Sequence, residues 1–223
     1  PFNSKIDLPS KSFPEEIWLN LTTPLKHQLK SQAVVDFNDS SIIESVNVLR
    51  WDGFGWWSSN VDGSGVARVA QYFGLDIANG AVIGIIGGGG AARSTAKTWQ
   101  QLGGSVRIFG GKRDITDFDW FVGEKNEERI CDLLINFDDD TIPSDVQVNG
   151  FIMKSRYHRI EGEHQDRIDA IGDDVIDGRW LLAAQHLESW SQLWAPQFTD
   201  LLPSLDLLVT MLINAESVLA SYS

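Results

Sequence analysis

The stretch AVIGIIGGGGAARSTAKTWQQLGG, from Ala81 to Gly104, constrains the fold more than any other part of the chain. A short apolar run, suited to a buried strand, meets the glycines Gly87 to Gly90, and an amphipathic segment follows at once. The pattern predicts a strand, a glycine turn and a helix stopped by Gly103-Gly104. SVRIFG then predicts a second strand, which completes a βαβ unit with parallel strands and a right-handed crossover. Upstream, SGVARVAQYFG predicts a helix ended by Gly74. Downstream, CDLLINF and VNGFIM predict further buried parallel strands.

Glycine in such a turn lets backbone approach a pyrophosphate closely, while the free N–H groups and positive end of the following helix bind its charge. The spacing here, Gly87-x-Gly89-Gly90-Ala91, is tighter than G-x-G-x-x-G, and Gly87, Gly89, Gly90 and Ala91 are the predicted dinucleotide contacts. The tip of the second strand separates NAD from NADP, since a carboxylate there binds the ribose 2'-hydroxyl and a cation meets a 2'-phosphate. The residues are Phe109-Gly110-Gly111-Lys112-Arg113, with two cations and no carboxylate. NADP is the predicted cofactor, held by Lys112 and Arg113; the alternative is an ordinary solvated pair, with Asp114 neutralising one of them.

The 223 residues carry 18 basic and 31 acidic side chains, a net charge of -13, so the overall field repels polyphosphate chains and anionic membranes. Nucleic acid and membrane are excluded as partners; no apolar run approaches the roughly 18 residues needed to span a bilayer. A small-molecule substrate is expected, on a monomer or homodimer. The single cysteine, Cys131, rules out an intramolecular disulfide framework and multi-cysteine metal sites, which fits a cytoplasmic address. No metal is expected. PFNSKIDLPSK has neither the apolar core of a signal peptide nor a starting methionine, and reads as a trimmed front.

Punctuation by glycine and proline divides the chain into three regions. Residues 1–62 form a lobe of short strands and helices, read as incomplete at its front. Residues 63–176 form a Rossmann-like dinucleotide domain. Residues 177–223 hold two helical patterns, GRWLLAAQHLESWSQLW and SLDLLVTMLINAESVLASY, separated by Pro196 and Pro203 and expected to pack back on the first lobe. The fold class is α/β, with the site in the cleft between lobes.

In the first region, NLTTPLK places a strand end, a hydroxyl, a proline turn and Lys26 within one short segment; SVNV and NVDG follow. Reducing a carbonyl by hydride transfer creates an alkoxide that needs a proton, and a lysine ammonium oriented by a carboxylate can supply it. Lys26 and Asp62 are the candidate pair. Residue chemistry alone reaches an NADP-linked carbonyl reductase or alcohol dehydrogenase.

Together these segments resemble the shikimate dehydrogenase family, whose pattern runs N-V-T-x-P-x-K, A-V-N-T, N-T-D-G and G-A-G-G-A. Here the sequence has NLTTPLK from Asn20, SVNV from Ser45, NVDG from Asn60 and GGGGA from Gly87, in that order. The family's D-G-x-x-M-L-x-x-Q is similar to DGRWLLAAQ from Asp177 to Gln185. The resemblance implies NADPH-dependent reduction of 3-dehydroshikimate to shikimate in aromatic amino-acid biosynthesis. By position it implies Lys26 as general acid and base, Asp62 as its partner, and Thr22, Asn47 and Gln185 as ligands of the substrate hydroxyls. Asn136 and Gly178 would lie against the cofactor, Gly178 near the nicotinamide. Alternatives are a quinate/shikimate dehydrogenase of broader specificity or a non-catalytic NADP-binding relative. The sequence departs from the pattern at Val48 and Val61, which stand where threonine is usual. Asn136-Phe137-Asp138 also lacks the usual threonine.

Other features have plainer readings. HRIEGEH from His158 reads as an exposed polar loop and Asp138-Asp139-Asp140 as a solvated turn. Trp180, Trp190 and Trp194 read as packing residues; Trp51, Trp56 and Trp57 either pack or wall the cleft.

Overall fold

The computed structural model describes residues 15–23, 25–27, 34–123, 128–158, 166, 171 and 175–220. Two sheets organise it. The smaller has strands β1 (Ile17–Asn20), β2 (Val34–Asp36), β3 (Val48–Trp51) and β4 (Trp56–Ser59), in the order β1-β3-β4-β2. β3 and β4 form an antiparallel hairpin, β1 adds antiparallel to β3, and β2 adds parallel to β4. The larger sheet is parallel throughout: β5 (Val82–Ile86), β6 (Ser105–Ile108), β7 (Ile130–Asn136), β8 (Gln147–Lys154) and β9 (Val175–Ile176), in the order β6-β5-β7-β8-β9. Its order reverses at β5, which leaves a crevice at the carboxyl ends of the strands, where the glycine turn lies. The predicted strand–turn–helix–strand unit is β5, α2 (Gly90–Gln101) and β6.

Helix α1 (Asp62–Tyr72) joins the two sheets, and α3 (Gly178–Ser189) and α4 (Leu205–Ala220) close the chain. The main core lies on one face of the parallel sheet, where Ile83, Ile85, Leu133, Ile135 and Met153 meet Val66, Val69, Leu181, Leu187, Val209 and Ile213 from the helices. The two closing helices thus bury their apolar faces against the dinucleotide sheet and α1. Contact with the smaller sheet falls to the π-type turn Trp190–Trp194 between them, which packs Leu193 and Trp194 on Val48 and Val61. Strand alternation makes this possible: Val48 points to that turn, while Leu49 and Trp51 point to the opposite cluster with Val46 and Trp56. Trp18 closes the aromatic group edge-on to Trp190 at 4.9 Å. Trp51 and Trp56 are buried, and the half-buried Trp57 donates its indole N–H to Asp52 Oδ2 at 2.8 Å, so these three tryptophans pack.

Helix α1 is seated by glycine. A Cβ on Gly63 would stand 2.2 Å from the Ser94 carbonyl oxygen of α2, and one on Gly65 would stand 2.8 Å from Gln185 Cγ of α3. Small residues let the three helices approach until backbone meets backbone. Gly63→Ala is therefore expected to destabilise the fold by about 3 kcal/mol, because the obstructing atom is main chain and cannot rotate away. The urea midpoint measures the loss.

Asp36 organises the path from β2 towards β3. Its carboxylate accepts from the Ser40 amide at 3.0 Å and hydroxyl at 2.6 Å, and from the Ser41 amide at 2.9 Å. Burial raises its pKa, but the hydrogen bonds from Ser40 and Ser41 outweigh this and hold it below the ordinary value of 3.8. A depressed folded-state pKa gives stability that is present above pH ~4 and lost as pH falls through the folded value. Asp36→Ala is expected to lower stability by about 1 kcal/mol at neutral pH, the low end for a charged acceptor because the carboxylate is exposed. That difference should vanish in unfolding curves taken in strong acid.

Candidate active site

The amino-terminal residue of α1 is the centre of the site. Asp62 has a side chain only 2% exposed and receives a donor from each of three separate elements. Lys26 Nζ, in the turn after β1, lies 2.7 Å from Asp62 Oδ2. Asn47 Nδ2, just before β3, and Gln185 Nε2, in α3, each donate to Oδ1 at 2.8 Å. Each NH2 group has a second N–H beyond the one given to Asp62, and the lysine ammonium has further donors. Lys26 keeps 16% of its side chain exposed, so the pair is not sealed from solvent.

A second layer holds this arrangement. The Asp62 amide donates to Asn60 Oδ1 at 3.0 Å, and the Val61 amide donates to Asn47 Oδ1 at 2.9 Å. Asn60 Nδ2 donates to the carbonyl and hydroxyl oxygens of Ser45, at 3.1 and 3.0 Å. The turn carrying Lys26 is tied to the same segment: the Leu21 amide donates to the Asn47 carbonyl at 2.8 Å, and the Val46 amide to the Lys26 carbonyl at 2.9 Å. Sequence reading assigned no role to Asn60, although its place in NVDG beside a buried acid was a signal. Thr22 is exposed in this turn, and its carbonyl accepts from Leu25 at 2.7 Å.

Gly87 has φ +114°, the left-handed region that favours glycine, and its amide donates to the Gly110 carbonyl at 2.9 Å. The loop after β6 covers this part of the turn, because a Cβ on Gly88 would stand 2.3 Å from the Arg113 carbonyl oxygen. Gly89 has open space where its Cβ would point, and the first-turn amides of α2 have no acceptor within the helix. Gly90, by contrast, is packed: a Cβ there would stand 2.1 Å from Ser45 Oγ. A cavity of about 230 Å³ bordered by Ile108, Gly110, Gly111, Arg113 and Asp114 adjoins the loop. Lys112 and Arg113 are exposed beside it.

The cation Arg93, in the first turns of α2, went unnoticed in the sequence. Its Nη2 lies 3.0 Å from His27 Nδ1 and donates to the Glu44 carbonyl at 3.2 Å, which ties the glycine-turn helix to the segment carrying Lys26. Burial lowers its pKa and Glu44 raises it, while neighbouring Arg113 lowers it further, so positive charge gathers around the turn.

Two expected cofactor residues have structural work of their own. The Asn136 side chain organises the loop after β7, accepting from the amides of Asp138 and Asp139 at 2.9 and 3.2 Å and donating to Asp139 Oδ1 and the Thr141 carbonyl. Gly178 packs against Arg156, whose carbonyl oxygen would lie 2.3 Å from an added Cβ. In HRIEGEH, His158 pairs with Asp140 at 2.9 Å; 159–165 lie outside the described residues. Among the described residues no three metal-ligating side chains come together, and no helix is long and apolar enough to cross a membrane.

No protein-family model matches the chain. A curated relative, the NADP(+) shikimate dehydrogenase of Methylibium petroleiphilum, is 32% identical over 74 residues, which are 33% of this chain and 25% of the relative. The match thus spans about a quarter of that relative's length. The shikimate 5-dehydrogenase of Thermus thermophilus, solved with NADP(H) and shikimate, superposes with a TM-score of 0.65 at 19% identity, over 89% of this chain and 78% of that one. The 5-ketofructose reductase of a Gluconobacter strain gives 0.62 at 19% identity, over 89% and 78%. The sequence motifs, the aligned stretch and the architecture agree: the chain resembles the shikimate dehydrogenases and has their fold, a Rossmann-like parallel sheet joined to a smaller α/β lobe.

Proposed function

We propose that the chain catalyses the reversible, NADP-linked reduction of 3-dehydroshikimate to shikimate. The observation that carries this reading is the Lys26–Asp62 pair, at 2.7 Å, surrounded by neutral amide donors. A ring bearing several hydroxyls needs short, uncharged partners, since each buried hydroxyl without one costs free energy. Asn47 and Gln185 supply these beside the pair, and Thr22 lies in the same turn as Lys26. The single cysteine is free and buried, and burial raises its pKa to about 11, so its thiol takes no part in this chemistry.

NADPH, when bound, supplies the hydride. Gly89, Gly90 and Ala91 would hold its phosphates with main-chain amides, and Lys112 and Arg113 would meet the 2'-phosphate. Lys26 Nζ holds the proton that the developing alkoxide takes up, and in the reverse direction accepts the proton of the substrate hydroxyl. Asp62 fixes the ammonium through Oδ2, while Asn47 and Gln185 give one N–H each to Oδ1 and orient the carboxylate.

Shikimate oxidation with NADP, followed by absorbance of the reduced cofactor, tests the reading; quinate offered in parallel separates the narrow activity from the broad one, and turnover of neither overturns it. Lys26→Ala is expected to lower turnover by about 100-fold or more with NADP affinity little changed. Asp62→Asn should also slow turnover, and the double variant should lose far less than the product of the single losses, because the two residues act as a unit. Multiplicative losses would make them independent.

Cofactor choice is measured by equilibrium titration. NADP is expected to bind about tenfold more tightly than NAD, because Lys112 and Arg113 offer charge-assisted hydrogen bonds to the extra phosphate. Equal dissociation constants would refute the assignment of the basic loop.

A further inference from the structure

We propose that Asp138 is a specificity-determining residue that reads the adenosine ribose from across the sheet and holds down the preference for a 2'-phosphate. The inference rests on the dinucleotide reading above. In sequence the tip of β6 lacks a carboxylate, yet the fold brings one there from the loop after β7. Asp138 Oδ2 accepts from the Lys112 amide at 2.6 Å and lies 3.1 Å from where a Cβ on Gly111 would stand. Oδ1 lies 3.2 Å from the corresponding point on Gly87. Its two oxygens thus face the first glycine of the turn and the loop that covers it, and no side chain at either position shields them.

The carboxylate is held in place. The Asp138 amide donates to Asn136 Oδ1 at 2.9 Å, and its carbonyl accepts from Arg156 Nη2, also at 2.9 Å. Asn136 fixes the rest of the loop through Asp139 and Thr141. Such a carboxylate can accept from a ribose 2'-hydroxyl, whereas a 2'-phosphate has no proton to offer it at neutral pH and sets like charge against it. Lys112 and Arg113 act in the opposite sense. The preference between the two dinucleotides is then a difference between attraction to the basic loop and repulsion from Asp138.

The test is titration of NADP and NAD against the whole chain and three variants, followed by calorimetry. Asp138→Asn keeps an acceptor for the Lys112 amide and removes the charge; Asp138→Ser gives a second neutral substitution; Asp145→Asn removes a charge ahead of β8, at the opposite end of the parallel strands. Both Asp138 variants are expected to bind NADP about tenfold more tightly and NAD no more tightly than the original, and Asp145→Asn should bind both as the original does. Equal shifts for both dinucleotides, no shift, or the same gain in Asp145→Asn would overturn the role of Asp138 and leave NADP binding standing. An unmodified chain that binds neither dinucleotide would overturn the cofactor reading, and this inference with it.

Discussion

The structure is assembled around a buried negative charge. A carboxylate removed from water is costly unless it is paired and hydrogen-bonded, and Asp62 meets that demand with donors that are far apart in the chain. Lys26, Asn47 and Gln185 each reach it from a different element, so satisfying one side chain fixes the turn after β1, the segment before β3 and helix α3 relative to α1. Asn60 and Ser45 extend the same network into the smaller sheet. Removing any one donor leaves the charge short of a partner, so each of these residues bears on folding as well as on the candidate site.

The glycine-rich turn combines several tasks in backbone form. Gly87 takes a positive φ, Gly88 leaves room for the Arg113 carbonyl, and Gly89 faces open space. Three adjacent glycines thus answer three different needs: a turn, a close crossing and access for a ligand. Arg93 then links the helix they open to the segment carrying Lys26.

Much of this was legible because it is local. The strand–glycine–helix order of Ala81 to Gly104 is dictated by periodicity and by the backbone freedom of glycine; the pairing of Lys26 and Asp62, 36 residues apart, was expected instead from the proton that hydride transfer requires and from the family resemblance. What escaped reading depends on packing between distant segments. Nothing local marks Trp190–Trp194 as the turn that covers the smaller sheet; that follows from Val48 and Trp194 meeting across the fold. Nor does the spacing of Asp138 show that β7 neighbours β5, which carries its carboxylate to the loop after β6. The tip of β6 carries no carboxylate of its own, and register between non-consecutive strands decides what stands there.

The glycine seating of α1 has a mechanical consequence. With Gly63 against Ser94 and Gly65 against Gln185, the helix cannot slide on α2 or α3, so Asp62 and Gln185 move as parts of the larger body. Lys26 and Asn47 lie on segments that flank strands of the smaller sheet. A rotation between the two sheets would change both the Lys26–Asp62 and the Asn47–Asp62 contacts, which cross from one side to the other. The Lys26–Asp62 contact therefore bridges the two sides of the molecule, and its length reports how the turn after β1 sits against α1.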